Sequence, residues 1–373
     1  MSSQNFTRQD LGQIRRVVVK VGSALLSNES AGPFTRIAAG IAALRSQNVN
    51  VVLVSSGAIA QGLPILGLKE RPGSLSQLQA LAAAGQPELM RRWSEALKPH
   101  GIAVAQVLLT HAGLADRERF INARHALLEL ERVGVLPIGN ENDTVATEEI
   151  KVGDNDNLAA HIANLVDADL LILLTDVDGL YDKNPEKNSD ATRLPRVENV
   201  KTAFAFAGES GSSGLGVGGM QTKIQAAETA TTRGVPVVIA HGEHDDVLQN
   251  IIAGQDVGTL FVPKDRMGSR KHWIGYTLRA SGTILVDAGA ANALLANGKS
   301  LLPSGISEVE GDFERGAMVE IHGPEGLIAR GLTAYAADDL KKIKGLSTAS
   351  IEEKLGYIHS PEAVHRDDLT LVD

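Results

Sequence analysis

The chain has 373 residues, 43% of them hydrophobic, a formal net charge of −9 and no cysteine. That length suggests two or three domains with a sizeable core, and 3% aromatic content makes the core aliphatic. The acidic balance disfavours nucleic acid or an anionic membrane as the main partner, and the lack of cysteine excludes disulfides, thiolate metal sites and cysteine nucleophiles.

The first residues, MSSQNFTRQDLGQIRR, are polar and lack the apolar stretch of a signal peptide. No apolar run reaches the roughly 18 to 20 residues needed to span a bilayer. A soluble cytoplasmic protein is the simplest expectation.

Arg15 to Val21 (RRVVVKV) is a β-branched run that ends at Gly22-Ser23. Thr35 to Gln47 has helical spacing, with Ile37, Ile41 and Leu44 on one face. Asn50 to Val54 is a second strand, ending in Ser55-Ser56-Gly57, so the three segments form a βαβ unit with parallel pairing. Further strands read at Ile102 to Leu109, Val135 to Ile138, Leu170 to Leu174 and Val235 to Ala240. Helices lie between them at Arg117 to Arg132 and Gln221 to Arg233. Strands without polar alternation are buried on both faces. The fold class is therefore α/β, a three-layer αβα sandwich with a mainly parallel sheet.

The texture changes after Pro263. KDRMGSRKHW (264–273) is a basic connector, and from Gly282 onward short segments alternate with turn signals such as NGK, PSG and GPEG. Strands at Val309, Val319 to Ile321 and Leu327 to Ala329, with a helix at Ala336 to Ile343, predict a small β-rich barrel. The expected organisation is an α/β domain at 1–265, a linker at 266–281 and a second domain at 282–373. No internal repeat or low-complexity segment stands out.

In a doubly wound sheet, ligands bind beyond the carboxyl ends of the strands. Those ends deliver Lys20 and Gly22-Ser23, Ser55-Ser56-Gly57, Asn140 to Asp143, and Thr175-Asp176. Lys20 sits in an apolar strand, where an ammonium is costly without a partner; it either snorkels out at the strand end or serves a ligand. The loop Gly211 to Lys223 (GSSGLGVGGMQTK) ends in a lysine on the first turn of a helix. It fits neither the Walker pattern nor the dinucleotide fingerprint. A flexible linker would explain its glycines, whereas free amides, a helix amino end and Lys223 together would hold a phosphate.

Other motifs exclude themselves. TDVDGLY (175–181) puts Leu180 and Tyr181 where a calcium loop needs glycine and ligands. The ten histidines show no zinc spacing, and Ser56 lies in VSSGA rather than in a nucleophile elbow. No protein metal ligands are assigned. GDNDN, Gly153 to Asn157, has a plain reading as a helix cap, with Asp156 or Asn157 as the capping residue. Four such residues in a row exceed what one cap needs. With Asp143 nearby, they could bind a substrate ammonium and orient the lysines.

Taken together, VVVKVGSALL, VLVSSGAIAQG, DRERFINAR, NENDTVAT, EIKVGDNDNL, LLLTDVDGLY, SGLGVGGMQTK and VGTLF resemble the amino acid kinase family, in its order and over nearly the whole chain. The pair NENDTVAT and VGDNDNL resembles the branch that acts on glutamate. LLPSGI, GDFERG and AVHRDD resemble the PUA domain, an RNA-binding-like module. The resemblance implies the amino acid kinase fold and ATP-dependent phosphorylation of the glutamate side-chain carboxylate, with Mg²⁺, as the first step toward proline. It implies that Lys20 and Lys223 meet the transferred phosphate and that Asp156 organises them. Ser56, Asp143 and Asn155 match glutamate-binding positions. Thr175, Asp176 and the run Val217, Gly218, Gly219, Met220, Gln221, Thr222 and Lys223 match nucleotide-binding ones. Val217 stands where the family has a threonine. Feedback inhibition by proline and a homo-oligomer, tetramer or dimer, are implied as well.

Two alternatives remain at this point. One is a kinase of acetylglutamate or aspartate; Asp143 argues for glutamate over acetylglutamate, because a free α-ammonium wants a carboxylate nearby. The other is an RNA-binding or RNA-modifying protein acting through its second domain. That domain, from Gly282 onward, carries eight Lys and Arg against fifteen Asp and Glu. An RNA grip needs a basic face, and KKIK at 341–344 reads as a solvated helix face.

Overall fold

A computed structural model describes residues 6–26, 32–146, 155–185, 187–206, 219–263 and 280–372. They fall into two compact units, one within 1–267 and one within 268–373. The expected linker lies largely outside the described residues.

The first unit is built on an eight-stranded sheet in the order β3-β4-β2-β1-β5-β7-β8-β6. β1 is Arg16–Val21, β2 Asn50–Ser55, β3 Val104–Leu109, β4 Leu136–Glu141 and β5 Leu170–Thr175. The two-residue β6 is Arg196–Val197, followed by β7 Val237–His241 and β8 Thr259–Phe261. All neighbours pair in parallel except β7 and β8, which run antiparallel. The β-branched run of β1 pairs with β2 on one side (Lys20 opposite Val54) and with β5 on the other (Lys20 opposite Leu173). The chain therefore leaves β1 in one direction and later returns to its other flank, which makes the carboxyl end of β1 a switch point where a crevice opens.

Alternation along the strands sorts the helices into two layers. Val17, Val19 and Val21 point into one core with α2 (Gly32–Ser46), α4 (Leu75–Leu97) and α10 (Val247–Ile252). Val18 points the other way, into a core shared with α6 (Arg117–Arg132), α7 (Asn155–Leu165) and α9 (Met220–Thr232). Lys20 has the parity of Val18, so it too lies on the α7 and α9 side. Ala159, Ala160 and Ala163 of α7 and Ala226, Ala227 and Ala230 of α9 are all buried in that core. Side chains that small let two helices sit close together on the sheet.

Short helices complete the layers: α1 Ser23–Leu26, α3 Ala58–Ile65, α5 His111–Ala115 and α8 Val200–Ala203. Several differ from expectation. The 23-residue α4 and strands β6 and β8 were not legible, and the strand expected at 135–138 continues to Glu141. Asp156 was a candidate cap, yet it lies inside the first turn of α7 with its side chain turned to other elements.

The second unit carries a five-stranded sheet in the order β10-β9-β11-β12-β13. β9 is Gly282–Val286, β10 Ile306–Gly311, β11 Met318–Gly323, β12 Gly326–Leu332 and β13 Leu369–Leu371. Its core includes Ile284, Val319, Ile321, Tyr335 and Leu340, the last on a helix at Ala337–Ile343. Lys341, Lys342 and Lys344 of the basic run pair with Asp338, Asp339 and Glu308.

Candidate active site

Three elements bring three charges together at the carboxyl end of β1. Lys20 Nζ stands 2.5 Å from Asp156 Oδ1, and Lys223 Nζ stands 3.3 Å from Asp156 Oδ2. The side chains are 5%, 0% and 7% exposed for Lys20, Asp156 and Lys223 respectively. The Thr222 hydroxyl lies 2.8 Å from Asp156 Oδ2 and 2.9 Å from the Gly219 carbonyl oxygen, and its one hydrogen is shared between these two acceptors. Burial alone would push the Asp156 carboxyl up, but the two ammonium groups and the Thr222 hydroxyl hold it well below the usual carboxylate range. Among the described residues, two ammonium groups face one carboxylate here.

A polar pair lies at the neighbouring strand end. Asn155 Nδ2 donates to Ser56 Oγ at 2.9 Å and to Asn140 Oδ1 at 2.8 Å. Ser56 follows β2, and its backbone N–H donates to the Val21 carbonyl at 3.1 Å, which ties it to the end of β1. Gly57 then takes φ +113, a backbone conformation suited to glycine, and α3 begins. Because Asn155 and Asp156 are adjacent on α7, the polar pair and the charged triad share one mount.

Asp143 stands in the turn after β4. Among the described residues no hydrogen bond ties it to Ser56 or Asn155. Burial pushes its carboxyl up to about 6, against the opposing pull of the Arg71 guanidinium. Thr175 is buried at the end of β5 and donates to Asp176 Oδ1 at 2.9 Å. Gly219 is extended and precedes α9, whose first residues are Met220, Gln221, Thr222 and Lys223. Val217 and Gly218, like Asp154, lie outside the described residues. The structure thus gathers Lys20, Asp156, Thr222 and Lys223 into one cluster and Ser56 with Asn155 into another. Asp143, Thr175 and Asp176 stand at the same sheet edge without contacting either cluster in the described bonds.

The sequence profile of the amino acid kinase family matches residues 15–241. Glutamate 5-kinase from Trichlorobacter lovleyi is 48% identical over 369 residues, covering 97% of this chain and 98% of that one. Glutamate 5-kinase from Pelobacter propionicus is 46% identical, covering 98% and 100%. That from Moorella thermoacetica is 48% identical, covering 98% of each. The chain belongs to the amino acid kinase family. The PUA domain profile matches residues 282–355.

Two features of this kinase escaped the sequence. Thr222 entered as a residue of the nucleotide loop, whereas its side chain braces Asp156. The second feature is the contribution of α4. Its Trp93 is fully buried and donates through Nε1 to Ser55 Oγ at 2.8 Å, while Gln86 accepts from Asn140 Nδ2 at 2.8 Å. Residues seven apart lie on one helical face, so a single face of α4 supports the ends of both β2 and β4.

Proposed function

We propose that this chain transfers the γ-phosphoryl group of ATP to the side-chain carboxylate of L-glutamate, giving glutamyl 5-phosphate, the first step toward proline. The observation that carries this reading is the buried Lys20–Asp156–Lys223 triad beside the Ser56–Asn155 pair. A carboxylate is already a nucleophile and needs no general base. The obstacle is electrostatic, because one anion must approach another. Catalysis then consists of positioning and charge neutralisation.

Lys20 and Lys223 meet the oxygens of the transferred phosphoryl group, and Asp156 fixes the two ammonium groups relative to each other. Both Asp156 oxygens already face lysines and Thr222. With those oxygens so engaged, Mg²⁺ would come with the phosphates of ATP and would supply shielding of their charge. Thr175, Asp176 and the stretch Val217 to Lys223 bind the nucleotide. Ser56 and Asn155 hold glutamate, the hydroxyl donating to a carboxylate and Asn155 Oδ1 accepting from the ammonium. Asp143 supplies the counter-charge for that ammonium, which favours glutamate over its acetylated form.

Residues 1–265 form the kinase domain, 266–281 a linker and 282–373 the PUA domain, with a structural or regulatory role. No helix among the described residues is long and apolar enough to cross a membrane, and the reaction is assigned to the cytoplasm. Family membership supports proline as a feedback inhibitor and a homo-oligomer, tetramer or dimer. The deciding experiment incubates the protein with ATP, Mg²⁺ and hydroxylamine, and with glutamate, aspartate or N-acetylglutamate. Hydroxamate from glutamate alone is expected; none from any of the three overturns the reading.

A further inference from the structure

A chain of amides crosses the carboxyl edge of the sheet from one helical layer to the other. It runs from Gln86 on α4, through Asn140 at the end of β4, to Asn155 at the start of α7 and on to Ser56. Amide side chains can face either way, but here one backbone group fixes every member. The Glu141 N–H can only donate, and it donates to Asn140 at 2.9 Å, so the oxygen of that amide must face it. Asn140 Nδ2 must then face Gln86, which presents Oε1. Asn155 in turn must turn its nitrogen toward Asn140 Oδ1, and both hydrogens of that nitrogen are used, one on Asn140 and one on Ser56. Its oxygen is left over: Asn155 Oδ1 is buried and has no hydrogen-bond partner among the described residues.

A buried acceptor without a partner is destabilising unless a ligand supplies the donor. Of the groups on an amino-acid substrate, the ammonium is the donor. Gln86 itself is buried, held in place by a helix contact that tolerates no side chain at its neighbour. A Cβ on Gly85 would lie 1.9 Å from the Ala58 carbonyl oxygen and 2.4 Å from the Gly62 nitrogen. α4 therefore sits at a fixed height against α3, and Gln86 at a fixed distance from β4.

We propose that Gln86 is a positioning residue for the amino-acid substrate. Acting through Asn140, it holds the Asn155 amide so that the acceptor oxygen, and not the NH₂ group, faces the substrate ammonium. The inference rests on the reading of Ser56 and Asn155 as the glutamate site.

The test uses the full chain and measures ADP release against glutamate and against ATP for the wild type, Gln86→Met and Gln86→Glu. Methionine fills the space without an acceptor; glutamate keeps an acceptor oxygen for Asn140. Gln86→Met is expected to raise KM for glutamate about ten- to hundredfold, the effect of losing one buried hydrogen bond. KM for ATP should stay within about twofold, and Gln86→Glu should retain most of the affinity for glutamate. An unchanged glutamate KM in Gln86→Met, or equal increases for glutamate and ATP, overturns the proposal. So does a Gln86→Glu variant as impaired as Gln86→Met. If Gln86→Met does not fold, Gln86→Ala carries the same comparison. A wild-type protein with no glutamate-dependent ADP release refutes the underlying functional reading instead, so the two failures are distinct.

Discussion

Lys20 on the central strand and Asp156 on α7 meet at 2.5 Å with almost no exposure to solvent. Taking one lysine and one aspartate out of water is costly, and such pairs persist where breaking them is costlier still. Asp156 also faces Lys223, so Asp156→Asn would remove the carboxylate that both buried ammonium groups face. The variant should lose about 3–5 kcal/mol of stability in urea unfolding. Its kcat should fall on the order of 10²- to 10³-fold. The pH dependence has a definite sign. The Asp156 carboxyl is held below its ordinary value, so its contribution is present above about pH 4 and is lost as the pH falls further. Wild-type and Asp156→Asn stabilities should therefore converge on acidification.

Asp143 behaves in the opposite sense. Burial lifts its carboxyl to about 6, so the folded chain holds that proton more tightly than the unfolded chain does. This site weighs against folding above about pH 6 and is relieved as the pH falls from there toward 4. If the ionised form meets the substrate ammonium, kcat/KM for glutamate should decline below about pH 6, approaching tenfold per pH unit. KM for ATP should not follow. In Asp143→Asn the inflection near pH 6 should vanish and KM for glutamate should be high throughout. An inflection that survives the substitution assigns it to another group.

How much of this was legible without coordinates differs by element. β1 and β5 announced themselves, because uninterrupted Val, Ile and Leu runs have few alternatives to a sheet covered on both faces. Lys20 was visible as the one charge inside such a run. What the sequence withheld was its parity, which decides that Lys20 meets α7 and α9 rather than α2 and α4. Helix α4 was missed although Leu78, Ala82, Leu89 and Trp93 give it an apolar stripe, because Pro87 and Gly85 interrupt the pattern. Gln86 lies on that stripe too. A polar residue in an apolar stripe was the available signal for the amide chain, but its partner Asn140 is distant in sequence. Thr222 was hidden for a different reason: its neighbours in a glycine-rich loop suggested backbone binding, and only the fold turns its hydroxyl toward Asp156.

Thr222 gives a graded test of the triad. Thr222→Val keeps the shape of the side chain and removes one hydrogen bond to an oxygen that Lys223 still faces. A single bond of this kind contributes about 1 kcal/mol net. Steady-state assays should show kcat reduced about five- to tenfold with KM for glutamate unchanged. A loss as large as that of Asp156→Asn would mean that Thr222 touches the phosphates directly.

The second unit offers a test of the rejected RNA reading. Its acidic balance and the local pairing of Lys341, Lys342 and Lys344 leave little for a phosphate backbone to hold. Filter binding of the full chain to tRNA at moderate salt should show no retention above that of an acidic control protein. Tight retention that weakens steeply with added salt would overturn the structural or regulatory role.

The contact between α3 and α4 yields the last prediction. Gly85 packs so closely on Ala58 and Gly62 that alanine there forces the two helices apart. Overpacking of this kind costs about 1–3 kcal/mol, read as a lower urea midpoint with little change in slope. The same displacement moves Gln86 away from Asn140 and, at its other end, shifts the Gly57 turn that follows Ser56. Gly85→Ala should therefore raise KM for glutamate more than KM for ATP, because the lysine triad is carried by β1, α7 and α9 rather than by α3 or α4. If stability falls while both KM values stay put, the helix pair is scaffold only, and the amide chain tolerates its movement.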